Sequence, residues 1–265
     1  MHFGTDLAIR SPWTDSARYA ALFSEFERVA YRGESSPSYL LSERAAREIH
    51  AVQPDARIIV VLREPVSMIA SLHVQLRSVG MERHKELGAA LAASRRRDRS
   101  RDIPGGHGVW LDYDRVARYA EQVERYLDVF PAEQVHVELF DDLVTEPAAL
   151  FARVESWLGV EAIELEPTKS NPAMEPRLFW LQRLLHYPPG PLYGLLLRVQ
   201  QRPRMLERQV ALALNNMQPA LTVPPRAVLD ELRDRLRGEV DRLEALLGRD
   251  LTAWRTPSDK YLRRS

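Results

Sequence analysis

Apolar residues along this chain alternate between two arrangements. Short continuous runs rich in β-branched residues give way to longer stretches spaced at three and four. The run "IIVVL" at 58–62 is a continuous apolar segment with high β-propensity, and it predicts a strand buried on both faces of a parallel sheet. Pro65 follows as a favoured first-turn residue, and the pattern behind it predicts a helix that stops at Gly80. A second strand is predicted at "QVHVELF", 134–140. It is preceded by a helix with Val116, Tyr119, Val123, Tyr126, Leu127 and Phe130 on one face. After "DDLVTEP" comes a helix bearing Leu150, Phe151, Val154, Trp157 and Leu158, closed by Gly159. Upstream, "RVAYRGESSPSYL" reads as a short strand ending near Gly33, then a polar turn before a helix that starts at about Ser42. A last helix over about 225–247 carries Leu229, Leu232, Leu236, Val240, Leu243 and Leu247 as a packing face and ends at Gly248.

Strands alternating with helices predict an α/β fold of three layers, a mostly parallel sheet flanked by helices. The boundaries expected are an α/β core over 1–175 and a helical C-terminal part of the same domain over 176–265. In that later part, "HYPPGPLYGLLL" is punctuated by Pro188, Pro189, Gly190 and Pro191. The stripe in "PLYGLLLRVQQRPRMLERQV" serves either as domain packing or as an amphipathic anchor on a membrane surface.

Arginine and lysine equal aspartate and glutamate at 37 each, so no global field draws the chain to nucleic acid or a membrane surface, and any anion site is local. Only Lys85, Lys169 and Lys260 are lysines. There is no cysteine, which excludes disulfides, thiolate metal sites and a cysteine nucleophile and makes a reducing cytoplasm the natural compartment. No apolar stretch reaches the roughly 18 to 20 residues of a membrane span. The histidines are scattered without ligand spacing, so no metal is expected.

Ligands of open parallel sheets bind beyond the carboxyl ends of the strands. Arg63 stands at such an end, and Ser71 lies about two turns into the following helix. A guanidinium fork and a hydroxyl converging there suit a phosphate monoester. Read from the residues alone, Arg63 paired with Glu64 or a distant carboxylate, and Ser71 as a helix-surface hydroxyl, is the alternative.

The stretch "RIIVVLREPVSMIASLHVQLR" resembles the strand and helix with which the sulfotransferase family holds the 3′-phosphate of 3′-phosphoadenylyl sulfate (PAPS), where arginine, any residue, proline, and a serine eight after the arginine follow an apolar strand. Arg63, Pro65 and Ser71 match that pattern. "GESSPSYL" at 33–40 is similar to the family's Ser/Thr-Pro-x-Tyr turn. "QVHVELFDDLVTEPAALFARVESWLGV" at 134–160 is similar to its next strand and helix, and "LRGEVDRLEALLGRDLTAW" at 236–254 to the C-terminal helix of bacterial members. The resemblance implies a P-loop-NTPase-like sheet and transfer of a sulfuryl group from PAPS to a hydroxyl or amino group of a carbohydrate, lipid or small metabolite. It assigns donor binding to Arg63 and Ser71.

The family's N-terminal loop, typically Pro-Lys/Arg-x-Gly/Ser-Thr-Ser/Thr, is not found; "PGGHG" at 104–108 reads as a simple turn. "MHFGTDL" is similar to the second half of a Lys-Glu-x-x-x-Phe-Gly-x-Asp segment that follows the first helix of bacterial relatives. The expectation is therefore a sequence that opens inside the family domain, with the first strand and P-loop missing, inactive and poorly soluble on its own. A non-catalytic nucleotide-binding or interaction protein derived from that family is the alternative. Candidate bases are Glu34, His73, His107 and Asp6. His73 is two residues past Ser71 and off its face, which favours a solvated or packing role. Tyr39 either lines the cleft or packs on the core. Lys169 and Asn171 fall where members place a late loop over the nucleotide. The basic run 95–102 either guides an anionic substrate or is a solvated loop.

Overall fold

The computed structural model describes residues 2–7, 9, 14–24, 29–96, 107–163, 174–187, 203–220 and 223–256. Lys169, Asn171 and residues 97–106 lie outside these, as does the side chain of His107. The chain forms two compact units that interleave along the sequence. The first comprises Met1–Glu64, Arg115–Lys169 and Arg237–Arg255; the second comprises Pro65–Asp114, Ser170–Leu236 and Thr256–Ser265.

In the first unit, strand β1 (Ile58–Leu62) pairs in parallel with β2 (Val135–Leu139), with Ile58 opposite Val135 and Leu62 opposite Leu139. The parallel pair is the one the apolar runs predict. Residues 58, 60 and 62 share a face with 135, 137 and 139. On that face Ile58, Val135 and Val137 pack with Ala46 and Ile49 of α3 (Ala45–Val52) and with Tyr126 of α7 (Tyr119–Leu127) and Phe130 beyond it. Here burial of the apolar face holds sheet and helices together.

The opposite face departs from expectation. Ile59 and Val61 are 45% and 49% exposed, so β1 is buried on one face rather than two. On that face β2 carries His136 and Glu138, and α9 (Pro147–Leu158) lies over this strand. Glu138 is buried, and its carboxylate accepts from Arg153 Nε at 2.9 Å and Nη2 at 2.7 Å, while His136 Nε2 lies 2.9 Å away. A charge placed in a sheet interior is tolerated when paired and hydrogen-bonded in this way. Asp142, in α8 (Phe140–Thr145), bonds Arg153 and Arg249, and the neighbouring Asp141 accepts the Trp254 indole N–H at 2.7 Å. These contacts tie the C-terminal stretch to the end of β2.

The strand expected near Gly33 does not form: residues 29–33 carry no strand and are exposed throughout. A central parallel strand needs cover on both sides, and Val29 and Tyr31 are about half exposed. Tyr31 instead donates its hydroxyl to the Leu158 carbonyl at the end of α9, 2.8 Å away, and lies under the Arg57 guanidinium. The helix expected from Ser42 starts at Ala45, and Ser42 Oγ receives the Ala45 N–H at 2.9 Å. The predicted helix over 116–130 is split between α6 (Tyr113–Val116) and α7.

In the second unit, α4 (Pro65–Ser78) buries Val66, Ile69, Ala70, His73, Leu76 and Arg77, the three- and four-residue spacing of one helical face. α5 (Leu87–Ser94) follows. Two three-residue strands that the sequence does not announce, β3 (Met174–Pro176) and β4 (Met217–Pro219), pair antiparallel. They join α10 (Phe179–His186) and α11 (Pro203–Asn215). Asn216 fastens this group: its Oδ1 accepts the Leu178 N–H at 3.0 Å, and its Nδ2 donates to the Leu178 carbonyl and to Gln182 Oε1. The last helix, α12 (Arg226–Leu247), runs from the second unit into the first and ends before the left-handed Gly248. Gly80 terminates α4 with φ of 74°, and a Cβ there would lie 2.7 Å from the Arg183 Cα.

Two outcomes follow from this architecture. Gly80→Ala lowers stability by about 2 kcal/mol or more in denaturant melts, because the added carbon meets backbone at a left-handed site. Arg153 holds the Glu138 carboxyl below its ordinary range against the opposing effect of burial. Below about pH 4.3 the unfolded chain therefore takes up this proton first, and stability falls as the pH drops through the folded value. Arg153→Ala costs roughly 1 to 2 kcal/mol at neutral pH, less than a fully buried pair because the guanidinium is partly exposed, and Glu138→Gln removes the contribution of this residue to the acid-side loss.

Candidate functional site

Because Leu62 and Leu139 are in register, the chain leaves both parallel strands side by side, and residues 63 and 140 are the first to emerge beyond their carboxyl ends. This is where side chains of a parallel sheet meet a ligand. The half-buried Arg63 guanidinium lies with its carbon 5.1 Å from the centre of the Phe140 ring, a cation-π approach that fixes the fork at the sheet end. Burial lowers the basicity of Arg63, an effect opposed by Tyr119, Glu64 and Asp141. An arginine stays charged through such a shift. Burial also raises the Tyr119 phenol, Glu64 adds to that rise and Arg63 works against it, so tyrosine, carboxylate and guanidinium form one mutually interacting group. The cation is thus partly balanced by the acids around it.

Ser71 lies half-buried on α4, six residues after Pro65 and so about 9 Å along the axis. Arg63 belongs to the first unit and Ser71 to the second.

Among the described residues, the other candidates are engaged in structural roles. Asp6 accepts from the Ser42 hydroxyl and, at 3.0 Å, from the Glu43 N–H, which makes it a brace for the turn before α3. Tyr39 is buried, and its hydroxyl receives the N–H groups of His2 at 2.9 Å and Phe3 at 3.2 Å; of the two readings, the core tyrosine is the one realised. Burial raises the phenols of Tyr19 and Tyr39, and the nearby Glu34 adds to the rise of both. His73 is buried, its Nε2 is 3.0 Å from the His84 carbonyl, and burial depresses its basicity. A neutral imidazole donating to a backbone carbonyl is a packing histidine.

Sequence reasoning missed a pair in the loop after α4. Glu82 is fully buried and accepts from the Tyr113 hydroxyl at 3.2 Å, from the His84 N–H at 2.8 Å and, with the same Oε1, from His84 Nδ1 at 2.8 Å. The His84 side chain is 40% exposed. A carboxylate that takes the Nδ1 proton fixes the tautomer and leaves Nε2 as the acceptor, which is the form of a histidine base. The glutamate two residues before the histidine is the only local signal for this, and Tyr113, which completes the arrangement, lies 31 residues further on.

The chain matches the sulfotransferase family model over residues 11–164. That stretch contains Arg63, Ser71 and both strands of the parallel pair. The chain belongs to the sulfotransferase family. It is similar to human heparan sulfate glucosamine 3-O-sulfotransferase 6, at 28% identity over 132 residues, 49% of this chain and 35% of that one. To human heparan sulfate glucosamine 3-O-sulfotransferase 5 it is 28% identical over 129 residues, 48% of this chain and 35% of that one. The match thus spans about a third of the length of these curated relatives. The crystal structure of a sulfotransferase from Alicyclobacillus acidocaldarius is similar over 96% of this chain and 85% of that one, with a TM-score of 0.65 and 25% identity.

The two histidines of the second unit separate in a modification experiment. With diethyl pyrocarbonate followed by mass spectrometry, exposed His84 is modified on the order of tenfold faster than His73, which reacts only through local opening. Glu82→Gln slows His84, because the amide no longer holds the Nδ1 side of the ring as the carboxylate does. Equal rates at the two positions would contradict the arrangement.

Proposed function

We propose that this sulfotransferase transfers a sulfuryl group from PAPS to a hydroxyl or amino group of a carbohydrate, lipid or small metabolite, and that Arg63 and Ser71 hold the donor's 3′-phosphate. The observation that carries the reading is the position of Arg63, a guanidinium fork fixed over Phe140 beyond the carboxyl ends of two in-register parallel strands. Family membership supports the reaction class. Relatives named for sulfation of heparan sulfate glucosamine favour a carbohydrate acceptor. The wider arrangement we infer is a three-layer, P-loop-NTPase-like sheet flanked by helices, with a helical C-terminal part, working in a cytoplasm. The absence of cysteine supports that compartment.

In the transfer, the acceptor oxygen or nitrogen bonds to sulfur as the bond from sulfur to the phosphate oxygen breaks, and the acceptor proton leaves to a base. The products are the sulfated acceptor and adenosine 3′,5′-bisphosphate. Arg63 and Ser71 contribute by anchoring the nucleotide: a fork donating to a phosphate dianion, and a hydroxyl donating beside it. As the base we infer His84, whose Nδ1 lies 2.8 Å from the buried Glu82 carboxylate.

Calorimetry with adenosine 3′,5′-bisphosphate tests the donor site. Hydrogen bonds to a charged partner contribute about 1.5 to 3 kcal/mol, so Arg63→Ala is expected to weaken binding roughly 10- to 150-fold, Arg63→Lys less, and Ser71→Ala about tenfold. Undiminished affinity in Arg63→Ala would remove the assignment.

A further inference from the structure

The second unit carries a helix pair built with its apolar side outward. α11 meets its neighbours through polar groups: Gln209 Nε2 donates to the Leu185 carbonyl of α10 at 2.6 Å, and Asn216, just past the helix, holds Leu178 and Gln182. Between 204 and 215 only Gln209 and Ala213, four residues apart, are even partly covered. Met205, Leu206, Val210, Leu212 and Leu214 are exposed, Leu214 at 66%. On α10, Trp180 is 64% exposed, with Leu184 one turn on and Leu178 before it. A surface helix ordinarily turns its apolar stripe to the core; these two leave theirs uncovered.

The charge on this stretch is as one-sided as the exposure. The described residues between 177 and 215 include four arginines, Arg177, Arg183, Arg204 and Arg208, against a single acid, Glu207, in a chain whose formal net charge is zero. A second copy of the same face would bring two sets of like charges together around the apolar residues, which opposes a symmetric dimer. A surface with dense negative charge above hydrocarbon satisfies both features. Leucine, methionine and valine enter the acyl boundary, the tryptophan sits at headgroup level, and the arginines meet lipid phosphates. Among the described residues no helix is long and apolar enough to cross a membrane, so this attachment lies on the surface.

We propose that α10 and α11 form a docking surface for an anionic lipid bilayer, which would bring the enzyme to acceptors in or on a membrane. The observation is independent of the donor site. Density-gradient flotation of the full chain with phosphatidylcholine vesicles, with or without phosphatidylglycerol, tests it. The protein is expected to float with the phosphatidylglycerol vesicles, less so in high salt, and to remain at the bottom with phosphatidylcholine alone. Trp180→Glu with Leu214→Glu abolishes flotation; both residues are exposed, so an unchanged thermal melt shows that the fold is retained. Arg204→Ala and Arg208→Ala weaken vesicle affinity by about fivefold each. Failure to float with anionic vesicles overturns the proposal. So does sedimentation as a dimer that the double variant dissolves without any flotation, which would give the face to a second copy.

Discussion

The in-register pairing of β1 with β2 is the constraint on which the rest of the first unit depends. A parallel pair has no tight turn to set its register; the register comes from matching apolar positions. Slipping by one residue would turn Ile58, Val60 and Leu62 away from α3 and α7. The same pairing decides where both strands end, so it also sets Arg63 beside Phe140. The buried carboxylate of Glu138, bonded to Arg153, reinforces the arrangement, since a one-residue slip would turn this charge toward apolar side chains. Stability and the proposed donor site therefore meet in one structural feature.

Features governed by local rules were legible in the sequence. A continuous β-branched run gave β1, Pro65 gave the start of α4, and Gly80, Gly159 and Gly248 all adopt the left-handed conformation that ends a helix. The family was legible too, from Arg63, Pro65 and Ser71 in order. What failed was non-local. The segment before Gly33 has strand-like composition but stays largely exposed, and Tyr31 is committed to the end of α9. β3 and β4 are three residues each and depend on the Asn216 amide reaching Leu178, 38 positions away. Burial on both faces of β1 could not be judged from its own residues, because exposure of Ile59 and Val61 depends on what lies opposite.

The candidate bases show the same limit. Asp6, Glu34 and His73 all have suitable chemistry as residue types, and each is claimed by neighbours that only the fold supplies: the Ser42 turn, two tyrosines, and a backbone carbonyl. The pair with the form of a base, Glu82 and His84, is two residues apart in a polar loop and gains its significance from the complete burial of Glu82. Composition conceals the basic character of α10 and α11 in a similar way, since Arg177, Arg183, Arg204 and Arg208 are cancelled in a chain whose charges sum to zero.

The central claim is that Arg63, fixed at the carboxyl ends of a parallel pair, is a phosphate ligand rather than an internal partner for Glu64 and Asp141. A crystal structure of the chain with adenosine 3′,5′-bisphosphate tests it most directly. The account predicts the ribose 3′-phosphate within hydrogen-bond reach of the Arg63 guanidinium and the Ser71 hydroxyl. A nucleotide bound elsewhere, with Arg63 still turned to its neighbouring carboxylates, would contradict it.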